Sequence, residues 1–255
     1  MDTLEMEQIQ ELSHLIETSR NTVFFGGAGV STESGIPDFR SESGLYRAIQ
    51  VYGYPPEDIL SHTFFMKEPE LFFRYYRENL IARDAKPNDA HITLAKLEQA
   101  GKLQAIITQN VDGLHKAAGS RNVIELHGSN WRQYCMKCGG RYSLDYILHQ
   151  ETIPKCGKCG GIVRPDVVLY EEGLNEAVMI AAERAIADAE LLIVGGTSLA
   201  VYPAAGLLGY FKGGALVLIN KTETPADSIA GLVIHDSIGE VFSAVSQVMK
   251  ILNQE

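Results

Sequence analysis

Four cysteines are the only thiols in this 255-residue chain, and they form two Cys-x-x-Cys pairs, Cys135 with Cys138 and Cys156 with Cys159. A tight turn aims the two thiolates of such a pair at one point, and two turns complete a tetrahedron around zinc. Glycine supplies both turns: Gly139 and Gly140 follow the first pair, and Gly157, Gly160 and Gly161 surround the second. Four thiolates close the coordination sphere and leave no place for a reactive water, so the zinc this pattern predicts is structural. Two disulfides would use the same residues, but nothing in the chain marks it as secreted. A zinc ribbon alone would also suit a nucleic-acid module, and a net charge of −10 disfavours that.

A second chemical signal is Gly26-Gly27-Ala28-Gly29-Val30-Ser31, placed directly after an apolar, β-branched run. A glycine-rich turn at the end of a strand lets backbone amides approach a phosphate, and a helix N-terminus beyond it favours the charge. The turn does not continue as G-x-G-x-x-G, since the next glycine is Gly35, which makes an ordinary dehydrogenase a strained fit. Asp38, Phe39 and Arg40 follow in succession, an acid, a ring and a cation able to hold an amide, a planar group and a phosphate. His127 stands between a strand end and the cysteine module, with a pKa suited to proton transfer near neutral pH. A lone histidine is also often structural, and Asn110 with Asp112 also reads as a polar turn after a strand.

The elements that must position these groups read as α/β. Thr22–Gly26, Gln104–Thr108, Asn122–Leu126, Leu191–Val194 and Ala215–Ile219 are short, apolar and β-branched, as buried parallel strands are. Helical patterns occupy Ala90–Ala100, Leu174–Asp188 and Pro203–Tyr210, and Leu4, Ile9, Leu12, Leu15 and Ile16 give the N-terminus an amphipathic helix. The alternation predicts a Rossmann-like sheet domain from residues 1–40, 85–131 and 166–255. Two inserts break it: an aromatic-rich helical segment over 41–84 and the cysteine module over 132–165, together forming a smaller domain. Leu191–Phe211 lacks any charged residue, but its glycines, Tyr202 and Pro203 argue for strand, turn and helix rather than a membrane span. No basic-then-apolar leader is visible at the acidic N-terminus, so a cytoplasmic protein without membrane or nucleic-acid partners is expected.

Taken in order, these blocks resemble the sirtuin family. Gly27-Ala28-Gly29-Val30-Ser31 with Ser34-Gly35-Ile36-Pro37-Asp38-Phe39-Arg40 looks like its signature, as do Thr108-Gln109-Asn110-Val111-Asp112-Gly113-Leu114-His115 and Glu125-Leu126-His127-Gly128. Gly196-Thr197-Ser198-Leu199, Val201-Tyr202-Pro203-Ala204 and Ile219-Asn220 complete the match, around the four-cysteine module. The resemblance implies a protein-lysine deacetylase that consumes NAD and passes the acetyl group to ADP-ribose, releasing nicotinamide; the acetyl-lysine segment of a protein is the partner. It implies that His127 is the general base and that Asn110 and Asp112, with the Val111 backbone, line the nicotinamide pocket. Gln109 would position the ribose, Phe39 would cover it, and Arg40 would reach the phosphates. Ala28, Gly29, Thr32, Asp38, Gly196, Thr197 and Ser198 are the remaining matches to the dinucleotide site, with Asn220, Ser237 and Ile238 on its adenosine side. The acyl-lysine would lie as a strand between Val167–Gly173 and Ser198–Tyr202, touching Val167, Val168, Tyr170 and Val201.

Three departures from the family pattern carry expectations. Gly26 replaces a frequent threonine, with little effect expected. Tyr170-Glu171-Glu172 replaces Phe-Gly-Glu, and the two carboxylates are expected to favour basic peptides. Phe73-Arg74-Tyr75-Tyr76 lacks the Tyr-x-x-Arg pair of sirtuins that prefer acidic acyl groups, which points to neutral ones. Mono-ADP-ribosyl transfer, preference for another neutral acyl group and a non-catalytic zinc-ribbon module are the competing readings.

Overall fold

The computed structural model describes residues 3–37 and 42–250. Asp38, Phe39 and Arg40 lie outside the described residues. The chain opens with α1 (Thr3–Thr18), then enters a sheet at β1 (Thr22–Gly26). Helices α2 (Glu42–Tyr52), α3 (Pro56–Ile59), α4 (His62–Lys67) and α5 (Pro69–Tyr75) follow. Next come α6 (Asp89–Gln99), β2 (Ala105–Thr108), α7 (Leu114–Ala117) and β3 (Val123–Glu125). The cysteine region holds β4 (Gly128–Cys135), β5 (Arg141–Ser143), α8 (Leu144–Leu148) and β6 (Val163–Val167). The chain finishes with α9 (Glu176–Ala187), β7 (Leu191–Gly195), β8 (Ala215–Ile219), β9 (Leu232–Ile234) and α10 (Ile238–Val248).

Two sheets result. The larger has six parallel strands in the order β3-β2-β1-β7-β8-β9. Every residue of β1 and β7 is buried, because helices cover both faces and the run of Val, Phe, Leu and Ile needs no polar alternation. Successive side chains still part to opposite faces. Phe24, Ile106, Ile193 and Val217 meet Leu12, Leu94 and Phe242 from α1, α6 and α10. Val23, Phe25, Ile107, Leu192 and Leu218 meet Ala182 and Ile186 of α9, together with Ala204 and Leu207.

The second sheet is antiparallel, in the order β5-β4-β6, with a register shift between Ser129 and Gln133 of β4. It shares a core with the aromatic helices: Phe65, Phe72, Phe73 and Tyr76 pack against Ile147, Val163, Leu169, Cys135 and Cys156. Most of the aromatic run from Phe64 to Tyr76 is therefore packing material, Phe65, Phe72, Phe73, Tyr75 and Tyr76 being buried.

Three local expectations differ from the structure. The glycine turn after β1 is followed by two short 3-10 turns, Ala28–Val30 and Thr32–Ser34, rather than a long helix, since Gly35 and Pro37 cut the segment off. Pro203–Tyr210 is helical, but as a 3-10 run over Ala204–Tyr210 containing Gly206 and Gly209. β9 has too short an apolar run to stand out and exists because β8 offers it an edge. A Cβ at Gly26 would lie 2.6 Å from Cε1 of the buried Phe24, so glycine suits the way this ring packs.

Candidate active site and metal centre

Strands β2 and β3 lie to one side of β1, and β7, β8 and β9 to the other, so the strand order reverses between β1 and β7. A crevice opens at the carboxyl ends of strands at such a reversal, and ligands of open α/β sheets bind there. Two glycine turns meet in it. The Gly29 amide donates to the Gly196 carbonyl at 2.8 Å, and a Cβ on Gly29 would lie 2.7 Å from the Gly196 Cα. Gly196 itself has φ +60°, the left-handed region that glycine adopts without a Cβ clash. The two turns thus pack backbone to backbone, an approach that side chains at these glycines would block.

The turn after β2 supplies the polar groups. The Asn110 side-chain amide donates to the Gly27 carbonyl and to Ser31 Oγ, each at 3.0 Å. Ser31 Oγ donates to Asp112 Oδ2 at 2.8 Å, and the Leu114 amide donates to Asp112 Oδ1 at 2.8 Å. Burial raises the pKa of the Asp112 carboxyl, and these two hydrogen bonds oppose the rise. Gln109 Nε2 donates to Thr197 Oγ1 at 3.0 Å, tying the β2 turn to the β7 turn.

His127 stands between β3 and β4. Its Nδ1 lies 2.8 Å from the Gln109 carbonyl, which can only accept, so Nδ1 carries the proton and the neutral ring has its lone pair on Nε2. Its own carbonyl accepts from the Val168 amide at 3.0 Å, which sets the histidine beside the segment after β6. A cleft of roughly 320 Å³ brings together Ala28, Gln109, Asn110, Val111, Asp112, His127, Gly196, Thr197 and Ser198, and also Val167, Val168, Tyr170 and Val201.

The remaining candidates lie around the cleft rather than in its wall. Gly29 is used in the glycine contact, and Thr32 donates from Oγ1 to the Gly29 carbonyl at 3.0 Å. Asn220, after β8, accepts the Thr197 amide on Oδ1 at 2.8 Å, while its buried Nδ2 has no hydrogen-bond partner. Ser237 caps α10 through its backbone position. Ile238 is buried in the core beneath Gly195, so its side chain does not face the cleft. Sequence reasoning passed over Ser31 as a site residue, although it lies within the glycine signature and links Asn110 to Asp112. It also passed over Asn130, whose amide donates to the Val111 carbonyl and whose side chain donates to the Leu80 carbonyl, because both contacts are distant in sequence.

Glu171 and Glu172, expected from the sequence to favour basic peptides, differ in their surroundings: Glu171 is exposed, whereas Glu172 is enclosed by partners. Glu172 takes two hydrogen bonds from buried Arg164, at 2.5 and 3.0 Å, one from the Leu169 amide at 2.9 Å, and faces His62 Nδ1 at 2.9 Å. Burial pushes its pKa up, but these partners outweigh burial and bring it to about 2. The charge of Glu172 is therefore satisfied inside the protein. Glu171 holds φ +73° in the place of the usual glycine, and its carboxylate accepts the Thr63 amide at 2.8 Å in the first turn of α4. Tyr170 pairs by main chain with Leu60 and His62, so this loop is fastened to the helical insert on one side and to Arg164 on the other.

The ligand atoms of Cys135, Cys138, Cys156 and Cys159 lie within 4.8 Å of one another, with Sγ–Sγ distances of 3.5 Å for Cys135–Cys159 and 3.6 Å for Cys138–Cys156. Tetrahedral Zn–S bonds of about 2.3 Å require S–S separations of about 3.8 Å. The donor set therefore fits one zinc ion. The Tyr142 hydroxyl lies 2.9 Å from Cys156 Sγ, a contact to the outer side of a metal-ligand sulfur that would help orient it. The dinucleotide side fits as well: the close-packed glycine turns put Gly27, Ala28, Gly196, Thr197 and Ser198 together in the cleft wall, where backbone can approach a phosphate, and the orphaned Asn220 Nδ2 is a donor awaiting an acceptor.

A switch-point crevice with close-packed glycine turns, a histidine held in one tautomer and an attached four-thiolate zinc ribbon together define a nucleotide-binding α/β protein with a structural metal. The chain belongs to the Sir2 family, whose model matches residues 27–203. It is 60% identical over 243 residues to an NAD-dependent protein deacetylase of Clostridium acetobutylicum, covering 95% of this chain and 99% of that one. It is 58% identical over 240 residues to that of Clostridium perfringens, covering 94% and 98%. Among solved structures, a Sir2 with a p53 peptide and NAD+ superposes with a TM-score of 0.84 at 38% identity, covering 95% of this chain and 99% of that one. A Sir2 homologue bound to NAD gives 0.86 at 41%, covering 95% and 94%. No helix among the described residues is long and apolar enough to cross a membrane.

Proposed function

We infer that this protein is an NAD-dependent protein-lysine deacetylase, which transfers the acetyl group of an acetyl-lysine to ADP-ribose and releases nicotinamide. The observation that carries the reading is the placement of His127, whose ring is fixed by the Gln109 carbonyl in the cleft that also holds Asn110, Asp112, Val167 and Val168. NAD, when bound, supplies the ribose carbon that loses nicotinamide and receives the acyl oxygen.

The residues of the chain account for the rest. The Gly27–Gly29 and Gly196 turns receive the phosphates, and Asn220 takes the adenosine side. Asp112, fixed by Ser31 and the Leu114 amide, accepts from the carboxamide of nicotinamide. His127 Nε2 withdraws the proton of a ribose hydroxyl, and Nδ1–H on the Gln109 carbonyl supports the charge the ring acquires. Val167 and Val168 flank the lysine stem, and the loop through Tyr170 offers main chain for strand pairing. Asp38, Phe39 and Arg40 keep their roles in this proposal from the sequence signature alone. So does the division into a sheet domain (1–40, 85–131 and 166–255) and a smaller domain of two inserts (41–84 and 132–165). Four thiols gathered for a metal suit the reducing cytoplasm. The carboxylate-bearing cleft makes nucleic acid an unsuitable partner.

Mass spectrometry of an acetyl-lysine peptide with and without NAD tests the reading. Turnover should require NAD and yield nicotinamide and O-acetyl-ADP-ribose. In His127→Ala it should fall by about 10²–10⁴-fold, the usual contribution of a positioned base. NAD cleavage that leaves the peptide acetylated, or attaches ADP-ribose to protein, would replace the deacetylase with a transferase or hydrolase.

A further inference from the structure

The wall of the cleft includes the carboxylates of Glu57, Asp112, Glu171 and Glu172 and, among the described residues, no lysine or arginine. Three of these are engaged. Asp112 accepts from Ser31 and Leu114, Glu171 from the Thr63 amide, and Glu172 from Arg164 and the Leu169 amide. Glu57 takes part in no hydrogen bond or ion pair among the described residues. It is half-buried, in the first turn of α3. Three residues further on, the Leu60 carbonyl accepts the Tyr170 amide at 3.0 Å, so Glu57 is held at a set distance from the loop on which the acyl-lysine strand would pair.

We propose that Glu57 is a specificity-determining residue, whose unpaired carboxylate favours acetyl-lysine segments with a lysine or arginine beside the modified residue and disfavours acidic neighbours. The physical reason is local. A half-buried charge without a partner keeps its field in the cleft, while a charge already neutralised, such as Glu172 by Arg164, contributes little. The charge of Glu172 thus adds little to such a preference, and the helical insert supplies in Glu57 a carboxylate of the cleft wall that neither a cation nor an amide engages among the described residues. This inference rests on the deacetylase reading.

The test measures kcat/KM of the zinc-loaded enzyme on three acetyl-lysine peptides that differ only in flanking residues: basic, neutral and acidic. The wild type should prefer the basic over the acidic peptide by roughly fivefold, the scale of one partly exposed ion pair, and the preference should shrink as salt rises. In Glu57→Gln the ratio should approach one, and in Glu57→Lys it should invert. Equal rates of the wild type on all three peptides would overturn the proposal while leaving the deacetylase intact, and need no variant. A wild-type preference that persists in Glu57→Gln would also overturn it. Turnover of none of the peptides would remove the deacetylase reading itself.

Discussion

In the parallel sheet, β1 and β7 are buried at every position, while in the antiparallel sheet β5 has no fully buried residue and β4 is buried at half its length. The first is held by apolar side chains on both faces, drawn from α1, α6 and α10 on one side and α9 on the other. The second has one apolar face, shared with the aromatic rings of α4 and α5, and gathers four sulfur atoms at its turns. The difference is one of means: area removed from water in the larger sheet, metal bonds plus a few rings in the smaller. It also bears on function. The larger sheet can leave its carboxyl edge for polar ligand groups because its stability lies elsewhere, whereas the smaller one, through β6 and Arg164, helps hold the loop from Leu169 to Glu172 that lines the cleft.

The largest effect should follow from removing a sulfur. Cys156→Ser should abolish stoichiometric zinc, withdrawing metal-linked folding energy on the order of 10 kcal/mol. Limited proteolysis should then cut first within residues 132–165. Deacetylation should fall by at least about 100-fold, as expected when supporting groups lose their position. Wild-type zinc content and protease resistance in this variant would break the comparison.

A smaller but global effect is expected from Ile193→Ala, since Ile193 is fully buried in β7. Calorimetry should show a loss of about 2–5 kcal/mol in the cooperative unfolding of the larger sheet, the usual range for such a truncation. Zinc should remain bound below the transition. Loss of zinc at temperatures where the sheet is still folded would show that the two regions are not separate in their support.

The smallest effect concerns the loop between them. The Glu172 carboxyl sits at about 2 in the folded protein, against roughly 4.3 in an unfolded chain. A depressed carboxyl contributes stability above its unfolded value and loses it as pH falls through the folded one. Hydrogen exchange of the Leu169 amide should therefore keep its protection on acidification to about pH 4 and lose it toward pH 2. In Arg164→Met the loss should move upward, toward about pH 4, where an unpaired carboxyl protonates. An unchanged profile would detach the loop from this ion pair.

Local patterns carried a large part of this. The apolar runs at Thr22–Gly26 and Ala215–Ile219 are strands with those bounds, since a strand buried on both faces needs an unbroken apolar run. The cysteine pairs were legible because zinc demands a donor type and a spacing that few other constraints impose. The short strands β5 and β9 were not, since three residues hold too little pattern and their existence depends on a neighbour's edge. The fate of Glu171 and Glu172 was equally illegible. A carboxylate's role depends on whether a cation lies within reach, and Arg164 reaches Glu172 only because β6 and the following loop fold back on each other.

The amino-acid sequence by itself thus determined the class of the larger sheet, the metal ligands and the types of groups at the strand ends, because each is written in residues near one another in the chain. Only the tertiary structure decided that Gly29 meets Gly196, that the Gln109 carbonyl sets the tautomer of His127, and that Glu57 is the carboxylate of the cleft wall with no hydrogen bond or ion pair among the described residues. These are relations between segments far apart in sequence, fixed by the order of strands in a sheet and by which side chains burial forces to find partners.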